Sequence, residues 1–244
     1  MSLLVTENLS KSFGGVVVID DLSVSLDEGE ALGIVGPNGA GKTTLFNLIT
    51  GAHPCDAGKV LFAGTDITRR HPSDRSRDGI GRTFQIPRPF EKMTVFENVL
   101  VGATHGRGQR ERASYSFAVD ALDRVGLLHR ANVTAGSLTL LDRKRLELAR
   151  ALATEPKVLL LDEIAGGLTE GEVRTLIDLI RQLRAEGMTI VWIEHIVHAL
   201  LAVVDRIVAI HFGRKLIEGD PQYVMTSPEL HDVYLGTATA TCPS

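Results

Sequence analysis

The chain has 244 residues, of which 44% are hydrophobic, 23% charged and 5% aromatic, with a formal charge of −4. This length buries a proper core and the composition excludes a disordered chain, while the acidic balance disfavours a dedicated nucleic-acid binder and charge-driven membrane attraction. Two cysteines, Cys55 and Cys242, show neither zinc-knuckle nor disulfide-framework spacing, which fits a reducing cytosolic setting. Met1 to Glu7 lacks the basic start and apolar stretch of a signal peptide. The apolar run Ile196 to Val204 is about half of the ~20 residues a membrane span needs, and His198 interrupts it.

In chain order, strands are expected at Leu3 to Val5, Val16 to Ile19, Leu22 to Leu26 and Ala31 to Val35, then a helix from Lys42 to about Thr50. Lys59 to Phe62 and Ile80 to Phe84 read as strands, with a short helix in the polar stretch Arg69 to Asp78. From Thr94 to about Leu128 the pattern is helical, broken at Gly106-Arg107-Gly108. A further helix is expected from about Arg143 to Thr154, with Leu146, Leu148, Ala149 and Leu152 on its apolar stripe. Strand Val158 to Leu161, helix Glu170 to Glu186, strand Thr189 to Ile193, helix Ile196 to Val203 and strands near Ile207 to Ile210 and Lys215 to Ile217 complete an alternating α/β order. This predicts a doubly wound, mostly parallel sheet with a helical insert at about 90–152, a single domain over 1–236, and a tail at 237–244.

The run Gly36-Pro37-Asn38-Gly39-Ala40-Gly41-Lys42-Thr43 reads GxxxxGKT between an apolar strand and a helix. Its glycines let consecutive backbone N–H groups turn toward an anion, and the helix adds the positive end of its dipole. Lys42 then reaches the β- and γ-phosphates of ATP, Thr43 holds Mg²⁺, Thr44 lies in the first helical turn, and Gly41 leaves room that a Cβ would fill.

Strand Val158 to Leu161 ends in Asp162-Glu163, at the sheet edge where α/β proteins place ligands. Asp162 is positioned to hold Mg²⁺ through water, and Glu163 to orient and deprotonate an attacking water. The other reading of this pair is a cap on the following helix. Strand Thr189 to Ile193 ends in Glu194-His195, where His195 either contacts a γ-phosphate or is structural. The order Glu194-His195-Ile196-Val197-His198 is not the HExxH of a zinc protease, and Trp192 reads as core. Gln85 ends another strand, its amide within the chemistry of Mg²⁺ or the attacking water. Phe13 either stacks on adenine or packs in the core.

In this order these residues resemble the ATP-binding cassette ATPases along essentially the whole chain. Gly81-Arg82-Thr83-Phe84-Gln85, Met93 to Val99, Leu146 to Leu152 and Glu218-Gly219-Asp220-Pro221 are similar to the importers of branched-chain amino acids. That resemblance implies a P-loop fold with an antiparallel β subdomain, a helical subdomain and a short C-terminal extension at about 212–236. It also implies a head-to-tail dimer of ATPase subunits, membrane permease subunits as partners, an extracytoplasmic substrate-binding protein, and a place at the cytoplasmic face of a membrane.

The family signature, LSGGQ or LSYGQ, falls where this chain has Leu138-Thr139-Leu140-Leu141-Asp142, just before the helix expected at Arg143. Leu141 replaces the glycine that lets backbone N–H approach the partner's γ-phosphate, and Asp142 replaces glutamine. An acid ~4 Å from phosphate repels it by about 4 kcal/mol at an effective dielectric near 20. The proline usual after the catalytic glutamate is Ile164. The expectation is a heterodimer whose partner supplies a regular signature, with self-association as the other arrangement. Urea or short-amide import, a non-transport cassette ATPase and a weakly active regulatory subunit stay open.

Overall fold

The structure, a computed structural model, describes residues 2–107 and 110–235. Cys242, the expected tail and part of the glycine and arginine break therefore lie outside the described residues. The chain divides into two compact units, one of Met1–Arg69 with Trp192–Ser244 and one of Arg70–Val191.

In chain order the first unit begins with β1 (Ser2–Phe13), β2 (Val16–Asp27), β3 (Ala31–Val35), α1 (Lys42–Thr50), β4 (Ala57–Phe62) and β5 (Thr65–Asp66). The second holds α2 (Pro72–Asp78), β6 (Ile80–Arg82), α3 (Val95–Arg107), α4 (Glu111–Arg124), α5 (Leu140–Leu152), β7 (Val158–Asp162), α6 (Glu170–Ala185) and most of β8 (Thr189–Ile193). The chain returns to the first unit through α7 (Val197–Leu201), β9 (Arg206–His211), β10 (Arg214–Gly219), α8 (Pro221–Met225) and α9 (Pro228–Leu235).

One sheet of the first unit is antiparallel, in the order β2-β1-β4-β5. The sequence suggests two strands, Val16 to Ile19 and Leu22 to Leu26, where the structure has the single strand β2. The polar residues between them do not break it, because two successive register shifts absorb them, one at Asn8, at φ 48°, and one at Asp21, at φ 56°. The Asn8 side-chain amide donates to Asp21 Oδ1 at 2.7 Å and holds the irregularity in place. The other sheet runs β10-β9-β3 and on to the end of β8, with β3 and β9 parallel and β9 and β10 an antiparallel hairpin. All five residues of β3 are buried, as a continuous apolar run in a covered parallel strand requires.

The second unit has the order β8-β7-β6, with β6 and β7 parallel. The strand expected to reach Phe84 stops at Arg82. Thr83 N still donates to Leu160 O at 2.9 Å, after which the chain leaves the sheet, and Pro87 and Pro89 keep it from resuming a ladder. Helix α6 starts at a capping box in which Thr169 accepts from the Glu172 amide and the Glu172 carboxylate accepts from the Thr169 amide. It buries Val173, Leu176, Ile177, Ile180 and Leu183, a helical stripe in which each side chain contributes about 1.5–3 kcal/mol as an upper estimate.

Candidate nucleotide site

In the first unit, the loop from Gly36 to Gly41 joins β3 to α1. Gly41 has φ 105°, and a Cβ on it would stand 2.7 Å from both Ile19 Cδ1 and Val18 O. Gly36 has φ 151°, and a Cβ there would stand 2.2 Å from Ile210 O. Only glycine lets the loop lie this close to β2 and β9, so the cradle's shape follows from its two glycine ends. Lys42 is buried, and its ammonium donates to Gly36 O at 2.7 Å and Pro37 O at 3.0 Å, arching back over the loop. No acidic side chain stands in the first turn of α1, which leaves that end positive. Asn38, Gly39 and Thr43 are exposed, Pro37 and Thr44 half-buried and Ala40 buried.

The loop also has a partner the sequence did not announce. Gly36 N donates to the Tyr234 hydroxyl at 2.9 Å, so the end of α9 holds the first residue of the cradle. Burial and this bond act on the Tyr234 phenol in opposite senses, and burial prevails to raise its pKa above the ordinary 10.0.

Phe13 is 44% exposed, so packing in the core does not describe it. Its ring meets His53 edge-on at 5.4 Å and has the Lys11 ammonium 5.4 Å from its centroid. His195 is exposed at the end of β8, with its amide donating to Glu194 Oε1 at 3.1 Å, whereas Trp192 is fully buried as expected.

In the second unit, Asp162 ends β7 and is 3% exposed. Arg82, from the adjacent strand β6, donates through Nη2 to Asp162 Oδ2 at 2.9 Å. Parallel register sets this pair, since Arg82 stands opposite Leu160, two residues before the carboxylate. Glu163 follows in a left-handed conformation at φ 46°, an uncommon state for a side chain of this size and one that costs about 1–3 kcal/mol. Gln85 Nε2 donates to Glu163 Oε2 at 2.5 Å, and the Gln85 carbonyl accepts from Lys144 Nζ at 3.3 Å. Neither Asp162 nor Glu163 caps α6, because Thr169 and Glu172 do. Arg82 and Lys144 escaped the sequence reading, although an arginine inside the short strand Ile80 to Arg82 was a legible sign of a buried anion.

The segment Leu138 to Asp142 does not precede the helix, as expected, but opens it. Thr139 is the N-cap of α5, its hydroxyl accepting from Asp142 N at 3.3 Å, so Leu140, Leu141 and Asp142 form the first turn. Leu138 is buried and Leu140 is 42% exposed. The Asp142 carboxylate faces Arg130 at 3.4 Å and Arg145 at 3.7 Å, and these guanidiniums offset much of the repulsion an isolated acid would exert.

A glycine cradle feeding a helix from a buried parallel strand, together with an aspartate and glutamate closing another parallel strand, defines a P-loop nucleotide-binding ATPase. Residues 19–166 match the ABC transporter family. The high-affinity branched-chain amino acid transport ATP-binding protein LivG of Salmonella typhimurium is 37% identical over 97% of this chain and 98% of its own length. The corresponding BraF protein of Pseudomonas aeruginosa is 34% identical over 97% and 98%. Among solved structures, a nucleotide-free ATP-binding cassette from an ABC transporter superposes with a TM-score of 0.89 at 33% identity, covering 96% of this chain and 99% of that one. The ADP conformation of a cassette gives a TM-score of 0.89 over 97% and 99%, also at 33% identity. The chain belongs to the ABC transporter family and is an ATP-binding, ATP-hydrolysing cassette.

Proposed function

We propose that this chain is the ATPase subunit of an importer for branched-chain or similar hydrophobic amino acids. The observation that carries the reading is similarity along nearly the full length of relatives named for that transport. ATP lies with its base on Phe13 and its phosphates on Gly36 to Thr44. Lys42 turns from the Gly36 and Pro37 carbonyls to reach the β- and γ-phosphates. Oxygen donors from Thr43, Gln85 and Asp162 suit Mg²⁺, a hard cation that keeps several waters, and Asp162 acts through one of them. Glu163 polarises the attacking water and His195 steadies the γ-phosphate, so rate comes from positioning and electrostatics.

A cavity of about 320 Å³ in the second unit, bordered by Phe84, Arg82, His105, Glu147 and Arg150, supports a permease docking place. Ile86 and Phe90, 67% and 46% exposed, continue the apolar surface beyond Phe84. No described helix is long and apolar enough to cross a membrane, so attachment to one falls to such permease subunits, with a substrate-binding protein on the other side. Leu141 and Asp142 favour a heterodimer in which this phosphate loop closes on another chain's signature.

The test is copurification with membrane permease subunits, followed by uptake of labelled leucine into vesicles. Leucine uptake that stops with Glu163→Gln in this chain is expected. Uptake of urea or short amides instead of leucine would overturn the substrate class, and failure to copurify with any permease would overturn the transport reading.

A further inference from the structure

Beside the phosphate loop, and wholly within the first unit, lies a second cavity of about 380 Å³ whose lining shares only His195 with the residues assigned to ATP hydrolysis. Its apolar wall comes from Leu200, Met225 and Leu230, and Leu200 and Leu230 are nearly fully buried. Glu194, 2% exposed, brings a carboxylate to its lining, while exposed His231 and Tyr234 stand at its rim. Among the described residues no lysine or arginine lines it, which disfavours a phosphate-bearing ligand. An aliphatic wall combined with one carboxylate and two imidazoles, those of His195 and His231, matches a small zwitterion with a branched hydrocarbon side chain.

Position gives the cavity a consequence. His195 belongs to the same lining, and Tyr234 is the residue whose hydroxyl accepts from Gly36 N at 2.9 Å. We infer that this cavity binds a free branched-chain amino acid and thereby senses the imported solute, weakening nucleotide engagement through Tyr234 and His195. The ammonium pairs with Glu194, the carboxylate with His231, and the side chain lies on Leu200, Met225 and Leu230. The choice of ligand rests on the proposed function. Coupling is reciprocal, so bound ATP must weaken the amino acid by the same factor.

The experiment titrates leucine into the purified full-length chain by calorimetry, with and without ATP and Mg²⁺, and maps hydrogen exchange. Expected are saturable binding below about 10 mM, which is an affinity of a few kcal/mol, protection over residues 225–234, and a severalfold weaker leucine affinity when ATP is present. Leu230→Trp, which fills the apolar wall, lowers leucine affinity at least tenfold while fluorescent ATP binding persists. If that variant does not fold, the exchange map on the unaltered chain decides the location. No binding at 10 mM, protection elsewhere, or identical leucine affinity with and without ATP each overturns the inference. Leucine binding by the isolated chain is read without permeases, so it can fail while transport of leucine succeeds, and it can succeed while the complex carries another solute.

Discussion

The side-chain amide of Gln85 donates to the carboxylate of Glu163 at 2.5 Å, so a residue three positions beyond β6 holds the residue that follows β7. Glu163 sits in a left-handed backbone conformation, and the amide fixes one rotamer of a side chain whose backbone is already constrained. A water-positioning carboxylate needs such restraint, because a misplaced base loses most of its effect.

Glu163→Gln therefore keeps the shape and removes the proposed base. Hydrolysis should fall by about 10²–10⁴, while nucleotide affinity changes little. Phosphate release measured beside fluorescent nucleotide binding checks both halves, and unchanged turnover would remove Glu163 from its assigned role.

Gly41→Ala should abolish ATP binding and destabilise the fold. The new Cβ would stand 2.7 Å from Val18 O, in a backbone conformation with φ 105°. The conformation alone costs about 1–3 kcal/mol, and the clash adds to it by pushing the loop off β2. Thermal melting and nucleotide titration on the same sample would reveal whether the cradle depends on this close approach.

Arg82→Met leaves the Asp162 carboxylate buried without its guanidinium. Loss of one partner of a buried pair costs about 3–5 kcal/mol, and the double variant with Asp162→Asn should recover most of that. Urea denaturation of the single and double variants distinguishes this from a surface pair, whose loss costs about 0–1 kcal/mol.

Glu147 provides a pH dependence. Burial raises its carboxyl above the ordinary 4.5, and the attraction of Arg150, 2.9 Å away, only partly opposes this. The folded state thus holds the proton more tightly than the unfolded chain. Its contribution is complete below about pH 4.5 and is lost as pH rises through the folded-state value. Glu147→Gln should flatten the fall in melting temperature above that pH, and a parallel slope in both proteins would contradict the assignment.

Leu141→Gly combined with Asp142→Gln restores the last two positions of the family signature. If the first turn of α5 limits the site it completes, the purified chain should hydrolyse ATP faster by on the order of 10², the contribution of a positioned anion-stabilising donor. An unaltered chain that is already fully active by itself would refute the heterodimer.

The sequence by itself determined the α/β order, the P-loop family and the residues proposed to bind phosphate. Those features are local, because glycine spacing, strand polarity and the residue closing a strand need no partner to be legible. Strand ends were less legible, since β6 stops at Arg82 through the departure of Phe84 from the ladder rather than through any change in apolar pattern. Only the tertiary structure decided that Arg82 pairs with Asp162, that Arg130 and Arg145 face Asp142, and that Tyr234 holds Gly36. Gly36 and Tyr234 lie 198 positions apart in the chain, and their contact depends on how the C-terminal helices pack against β9 and β10. Side-chain spacing along the sequence carries no record of that packing, which is why the loop was readable and its restraint was not.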